Sequence, residues 1–137
     1  MVLETGPSVR VLIADDQRYF RQGLRAVLES SPANIEVVGE VEDGDQAIES
    51  AERLHPDVIL LDVHMPGTDG IRAARAISGC SPSTKILMLT VSDSQEDVAL
   101  ATRAGAAGYL LKDRSLEDVI DAVLSLVRGR PWPLAAG

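Results

Sequence analysis

The stretch Val58-Ile59-Leu60-Leu61-Asp62 decides the fold, because four apolar residues run without alternation into a carboxylate. An unbroken apolar run of this length is typical of a strand that is covered on both faces, as in a parallel sheet. Segments with apolar residues at helical spacing alternate with such runs, and 116–127 is the clearest of these segments. The other apolar, β-branched runs lie at residues 9–14, 35–41, 86–89 and 108–111.

The predicted order of elements is therefore (βα)₅, with strand and helix alternating along residues 9–128. Short connections between alternating strands and helices predict a parallel sheet between two helical layers, a three-layer α/β/α sandwich. Residues 1–8 are expected to be a disordered lead-in, and residues 129–137, rich in Pro, Gly and Ala, a linker or truncated end. Polar pairs at the right spacing to cap helix starts are Asp43 with Gln46, Ser94 with Asp97, and Ser115 with Asp118.

Composition limits the classes of function. The chain has 137 residues, 45% of them hydrophobic, which suits one globular domain. Its net charge of −8 argues against a nucleic-acid surface, because DNA binding needs Lys and Arg to neutralise phosphates. The chain contains no apolar run near the roughly 20 residues that span a bilayer, and its single cysteine, Cys80, fits a reducing compartment. We expect a soluble, cytoplasmic protein with no membrane contact.

Three carboxylates follow the first and third predicted strands. Asp15 and Asp16 come directly after the first, and Asp62 ends the third. In open α/β sheets, ligands bind beyond the carboxyl ends of the strands where the strand order reverses, which for the order 2-1-3-4-5 lies between strands 1 and 3. Clustered carboxylates repel one another, so either their pKa values rise or a cation compensates, and oxygen ligands suit Mg²⁺. The alternative is that Asp15 and Asp16 cap the first helix and that Asp62 merely ends a strand.

Two further polar side chains follow the later strands. Thr90 ends the fourth strand and Lys112 follows the fifth, so both should project over the same crevice. A hydroxyl and an ammonium opposite a metal-bound carboxylate can hold phosphoryl oxygens. Taken alone, Thr90 is an ordinary strand-end hydroxyl and Lys112 an ordinary solvated lysine, so the inference depends on the acids.

The ordered set of motifs resembles the receiver domains of two-component response regulators, with their flavodoxin-like fold, over residues 9–128. The motifs that carry the resemblance are Val-Leu-Ile-Ala-Asp15-Asp16, Leu-Leu-Asp62-Val-His-Met-Pro66-Gly67, Asp69-Gly70, Leu-Thr90 and Gly-Tyr109-Leu-Leu-Lys112. Three more motifs are similar to the NarL/FixJ (LuxR-type) class, whose members carry a C-terminal helix-turn-helix domain: Arg21-Gln22-Gly23-Leu24, Val-Val-Gly39-Glu40 and Ala-Gly-Ala-Ala-Gly108-Tyr109.

This resemblance implies a role for each matching residue of the acidic pocket. Asp62 matches the phosphoacceptor, which takes a phosphoryl group from a sensor histidine kinase. Asp15 and Asp16 match the acidic pair that holds Mg²⁺ together with Asp62. His64 stands where the family supplies a backbone carbonyl to the metal, and Met65-Pro66-Gly67 matches the turn of the acceptor loop. A His64 side chain bound to a softer metal is the alternative for that residue.

The resemblance also implies a switch. Lys112 matches the residue that pairs with the phosphoryl group, Thr90 the hydroxyl that moves toward it, and Tyr109 the aromatic residue that then turns inward. Ordinary packing is the alternative for Tyr109. The responding face would be residues 94–128, controlling homodimerisation, through the last helices or the first and last, and a missing helix-turn-helix domain that binds DNA. In such receiver domains, the positions that match His64 and Ser92 border the path of the attacking water, so the resemblance implies that these residues influence how long the phosphate survives.

One position departs from the common receiver pattern. Many receivers have proline after the conserved lysine, with a cis peptide bond, whereas this chain has Lys112-Asp113. A cis bond before a residue other than proline costs about 2.5–4 kcal/mol. The sequence therefore leaves open whether this bond is cis.

Other classes of function fit less well. A haloacid-dehalogenase-type phosphatase would need an aspartate two residues after its nucleophile, where this chain has His64. A dinucleotide-binding domain would need a glycine-rich turn after the first strand, where Asp15-Asp16-Gln17 stands. The remaining rival is an interaction module of the same fold that works without phosphorylation. We expect a signalling domain that catalyses only its own phosphorylation and dephosphorylation.

Overall fold

The computed structural model describes residues 8–91, 94–113 and 116–130, which fold into a five-stranded sheet and five helices. All strand pairs are parallel, in the order β2-β1-β3-β4-β5, which confirms the predicted (βα)₅ sandwich and strand order. The strands are β1 (Val9–Ala14), β2 (Ile35–Val41), β3 (Val58–Asp62), β4 (Lys85–Thr90) and β5 (Gly108–Leu111). The helices are α1 (Arg18–Ser30), α2 (Gly44–Leu54), α3 (Gly70–Cys80), α4 (Gln95–Arg103) and α5 (Leu116–Val127).

The sheet separates two apolar clusters, and β3 contributes to both. Ile59 and Leu61 pack with α2, α3 and α4 on one face, while Val58 and Leu60 pack with α1 and α5 on the other. All four side chains are fully buried, so the unbroken apolar run does mark a strand covered on both faces. This central position fixes Asp62 at the carboxyl edge of the sheet.

Two of the predicted helix caps lie within the described residues, and both form. Asp43 accepts a hydrogen bond from the Gln46 N–H at 2.8 Å, and Gln46 Oε1 accepts one from the Glu42 N–H at 3.1 Å. Ser94 Oγ accepts from the Asp97 N–H at 3.3 Å. The predicted cap at Ser115 lies outside the described residues.

Two sequence-based expectations are refined by the structure. β4 ends at Thr90 as predicted but begins one residue before the predicted apolar run, at Lys85, because strand pairing with β3 includes this polar residue. The Lys112–Asp113 peptide bond is trans, and the described part of the chain contains no cis peptide bond. Among the same residues, no helix is both long enough and apolar enough to cross a membrane.

The start of α3 is held against the end of β3 by a glycine. A Cβ atom at Gly70 would overlap the backbone carbonyl of Asp62, and the Gly70 N–H donates to the Val63 carbonyl at 2.8 Å. Because only hydrogen fits there, Gly70 allows the first turn of α3 to contact the backbone of the proposed phosphoacceptor.

We expect Gly70→Ala to lower the free energy of unfolding by about 1–3 kcal/mol, the usual cost of overpacking a filled site. Gly79→Ala is the matched control, because it lies in the same helix with no neighbouring atom in the way. Without a steric conflict, that change should stabilise the helix by up to about 1 kcal/mol. Urea unfolding measures both values, and equal effects of the two substitutions would contradict the packing argument.

Candidate functional site

Three carboxylates meet at the carboxyl edge of the sheet. Asp62 is the last residue of β3, and Asp15 and Asp16 follow β1, which pairs with β3. One oxygen from each of the three lies within 4.8 Å of the others. Asp15 and Asp62 are 1% and 5% exposed, whereas Asp16 is exposed. The three acids therefore meet in one pocket, as predicted.

Lys112 reaches from the end of β5 into this pocket. Its Nζ lies 2.6 Å from Asp15 Oδ2 and 3.3 Å from Asp62 Oδ2, and it donates to Gln17 Oε1 at 2.7 Å. The ammonium also lies 4.6 Å from the centre of the Phe20 ring. The Lys112 side chain is 7% exposed, so it is a shielded counter-ion for two carboxylates rather than a solvated lysine.

Asp15 is held by both backbone and side chain. Its N–H donates to the Val41 carbonyl at 3.0 Å, its Oδ1 accepts from the Gln17 N–H at 2.8 Å, and its carbonyl accepts from Arg21 Nη1 at 2.6 Å. The N-cap residue of α1 is Gln17, so the alternative that these aspartates merely cap the first helix does not describe the site.

The second oxygen of Asp15 differs from the first. Oδ2 is buried and has no aligned hydrogen-bond donor among the described residues, although Lys112 Nζ lies at ion-pair distance. A buried carboxylate oxygen with spare bonding capacity, beside two other carboxylates, matches the oxygen-only donor set of a hard cation. The residues present therefore fit Mg²⁺.

The pKa of Asp62 is raised above its ordinary value. Burial is the largest cause, and the nearby charge of Asp15 is the second. Lys112 opposes both, as does the His64 N–H, which donates to Asp62 Oδ1 at 3.2 Å. Since burial and repulsion outweigh the stabilisation by Lys112 and the His64 N–H, further positive charge in the pocket would stabilise the ionised carboxylate.

The acceptor loop begins directly after Asp62. Gly67 adopts a left-handed conformation with φ of 72°, which glycine adopts without strain. Met65 is buried against the apolar cluster beneath the loop, while Pro66 is exposed. The exposed His64 ring points toward α4, with Nε2 4.0 Å from Asp97 Oδ2, so the imidazole lies outside the carboxylate cluster.

The two remaining predicted site residues lie on β4 and β5. Thr90 is fully buried, and its carbonyl accepts from the Lys112 N–H at 2.7 Å. Tyr109 is buried in the same apolar cluster as Ala101 of α4. The aromatic side chain is thus already inward in this structure, and its movement on phosphorylation stays a prediction. Ser92 lies outside the described residues.

Three residues that contact the pocket were not assigned a role from the sequence. Gln17 and Phe20 contact the Lys112 ammonium, and Arg21 contacts the Asp15 carbonyl. A basic residue within two helical turns of two adjacent acids could have indicated a contact between Arg21 and the pocket. In the sequence analysis, Arg21 served only as part of a motif similar to the NarL/FixJ class.

Comparison with known proteins identifies the family. Residues 11–124 match the family model of the response regulator receiver domain. The chain belongs to this family. The receiver domain is 46% identical to the uncharacterized transcriptional regulatory protein YxjL of Bacillus subtilis, over 88% of this chain and 55% of that protein. It is 41% identical to the nitrate/nitrite response regulator protein NarL of Escherichia coli K12, over 87% of this chain and 55% of that protein.

Solved structures agree with the sequence comparison. The signal receiver domain of NarL from Mycobacterium tuberculosis superposes on this receiver domain with a TM-score of 0.87 and 39% identity, covering 91% of this chain and 100% of that one. The chain spans about half the length of the two curated relatives named above. The family assignment to NarL/LuxR-type receivers is therefore correct.

We expect Asp62→Asn to stabilise the receiver domain at neutral pH in buffer containing EDTA. A raised carboxyl pKa means that the native state binds more protons than the unfolded state between the ordinary value of 3.8 and the folded pKa. Stability therefore falls as pH rises through that window, and the charged form of Asp62 is a cost above it. Removing this carboxylate should raise the melting temperature at pH 7.

The gain in melting temperature of Asp62→Asn should shrink as pH falls through the Asp62 pKa of the folded state. It should vanish near the Asp62 pKa of the unfolded state. Thermal melts at a series of pH values measure it. Asp121→Asn is the control, because it removes the same charge from an exposed position on α5. Destabilisation by Asp62→Asn at pH 7 would show that the Lys112 ion pair outweighs burial and repulsion.

Proposed function

We propose that the chain accepts a phosphoryl group on Asp62 from a sensor histidine kinase in a Mg²⁺-dependent reaction. The observation that carries this proposal is the buried Asp15–Asp62 pair with the Lys112 ammonium between its oxygens. Such a site supplies a carboxylate nucleophile, an acidic cation site and a cationic partner for phosphoryl oxygens. The proposed domain comprises residues 9–128.

The cation would be held by the side chains of Asp15, Asp16 and Asp62 and by the His64 carbonyl. When bound, Mg²⁺ neutralises charge on the carboxylates and on the phosphoryl oxygens. Three carboxylates and a carbonyl form an oxygen-only set of ligands, which suits this ion better than a softer metal. The His64 imidazole, directed toward Asp97, takes no part in that set.

In the transfer step, a carboxylate oxygen of Asp62 attacks the phosphorus atom of the phosphohistidine. The new bond joins this oxygen to phosphorus, and the bond between phosphorus and the histidine nitrogen breaks with its electron pair left on nitrogen. The His64 N–H, bonded to Oδ1, limits rotation of the carboxylate. Lys112 is in place to pair with a phosphoryl oxygen, and Thr90 supplies the hydroxyl that moves toward it.

The proposed output lies on the face of residues 94–128. A phosphoryl group adds about −1.5 to −2 charges at the pocket, which draws Thr90 toward it and selects the inward position of Tyr109. The contact of His64 with Asp97 also joins the acceptor loop to the first turn of α4. This face would then control homodimerisation, through the last helices or through the first and last.

In the whole protein, we assign this domain to a cytoplasmic transcription regulator with a helix-turn-helix domain outside the present chain. The support is the class of the relatives, which include transcriptional regulatory proteins about twice as long as the matched region. With a net charge of −8, this chain is a poor DNA-binding surface, so DNA contact belongs to the attached domain.

The test is incubation with acetyl phosphate and MgCl₂ followed by intact-mass measurement. We expect one phosphate per chain, lost in Asp62→Asn and on addition of EDTA. Asp69→Asn is the matched control, since it makes the same chemical change in the acceptor loop while keeping a capping side chain for α3. That variant should still form the adduct.

Three other outcomes would point elsewhere. An adduct on the Asp62→Asn variant would identify a different acceptor. Release of inorganic phosphate without a trapped adduct would favour a phosphatase. Binding of Mg²⁺ with neither adduct nor turnover would favour the rival interaction module that works without phosphorylation.

A further inference from the structure

Arg21 of α1 contacts the acidic pocket through the backbone of Asp15. Its Nη1 donates to the Asp15 carbonyl at 2.6 Å, and its Nε pairs with Glu40 Oε1 at 3.3 Å. The side chain is only 14% exposed, so solvent screens these contacts less than it screens a surface ion pair. The guanidinium therefore joins the end of β1, the end of β2 and the first helix.

The position of Asp15 depends on this contact. Its N–H and Oδ1 are bonded to Val41 and Gln17, and the Arg21 bond fixes the carbonyl on the third side. With these groups held, Oδ2 is the atom left to face Asp62 and Lys112. Loss of the Arg21 bond would remove the contact that fixes the Asp15 carbonyl, and with it the orientation of the Asp15–Asp16 peptide.

Glu40 holds the guanidinium in place. Its second oxygen accepts from Arg25 Nη1 at 2.8 Å, and Arg25 also pairs with Glu29 at 2.8 Å. Arg25 is 43% exposed and shares Glu40 with Arg21, but it pairs with Glu40 and Glu29 rather than with Asp15. The chain thus contains two arginines in one network, of which Arg21 contacts the pocket.

We propose that Arg21 is a positioning residue for the cation site: it directs Asp15 and Asp16 toward the ion through the Asp15 carbonyl, and Glu40 fixes its orientation. This inference rests on the proposed function, in which the pocket takes Mg²⁺. Residues that orient metal ligands typically change metal affinity by about 10–100-fold when they are replaced.

The positive charge of Arg21, taken alone, predicts the opposite effect of its removal on Mg²⁺ affinity. A cation near the pocket repels Mg²⁺, so a role through charge alone would make removal of Arg21 tighten binding. A positioning role makes removal weaken binding. Arg21→Lys separates the two further, because lysine keeps the charge but lacks the planar fork that bonds the Asp15 carbonyl and Glu40 together.

The experiment is calorimetric titration of the 137-residue chain with MgCl₂, without any phosphodonor. We expect Arg21→Gln to weaken Mg²⁺ binding by about 10-fold or more, and Arg21→Lys and Glu40→Gln to weaken it in the same direction by less. Arg25→Gln, the matched control, removes the same charge from the network but leaves the bond from Arg21 to the Asp15 carbonyl in place, so it should not weaken Mg²⁺ binding as Arg21→Gln does. Thermal melts in EDTA report the stability of every variant separately.

A failure of the proposed function and a failure of this inference give different results in this experiment. No Mg²⁺ binding by the unaltered chain would overturn the proposed function of the pocket and this inference with it. Binding by the unaltered chain with equal or tighter binding by Arg21→Gln would overturn the inference alone. If Arg21→Gln does not fold, Arg21→Lys decides, because it keeps the charge: weakened binding supports the positioning role, and unchanged or tighter binding overturns it.

Discussion

The site depends on one electrostatic constraint: two nearly buried carboxylates, Asp15 and Asp62, are held at the ends of adjacent parallel strands. Burial of Asp62 and, second, repulsion from the Asp15 carboxylate raise the pKa of Asp62. Lys112 offsets part of this cost from β5, and a bound cation would offset more. A fold that fixes unfavourable negative charge in this way leaves a pocket in which a divalent cation would stabilise the ionised carboxylates.

The backbone explains why the acids can be held there. β3 is buried on both faces, which fixes its direction, and Gly70 brings the start of α3 against the Asp62 carbonyl. Asp15 is fixed in turn by β2, by the α1 N-terminus and by Arg21. Asp62 is therefore the last residue of a buried strand, and Asp15, which follows β1, is fixed by three contacts.

Much of this could be predicted from the sequence, because parallel topology determines which strand ends share an edge. The run 58–62 predicted a central strand, and strand order then placed Asp15, Asp16 and Asp62 together. Side-chain reach was harder to predict. The partners of Lys112 and Arg21 depend on which rotamers α1 packing allows, and no spacing rule encodes that. The start of β4 was also missed, because Lys85 lies outside the apolar pattern although its backbone pairs with β3.

The placement of Lys112 has a thermodynamic consequence. The residue is joined to β4 through its own N–H and to the carboxylates through its ammonium, so the end of β5 and the charge balance of the pocket are mechanically linked. Linkage is reciprocal for binding free energies. If phosphorylation changes how a partner binds beside β5, that partner must change the phosphorylation equilibrium by the same factor. The domain would then report on its partners as well as on its kinase.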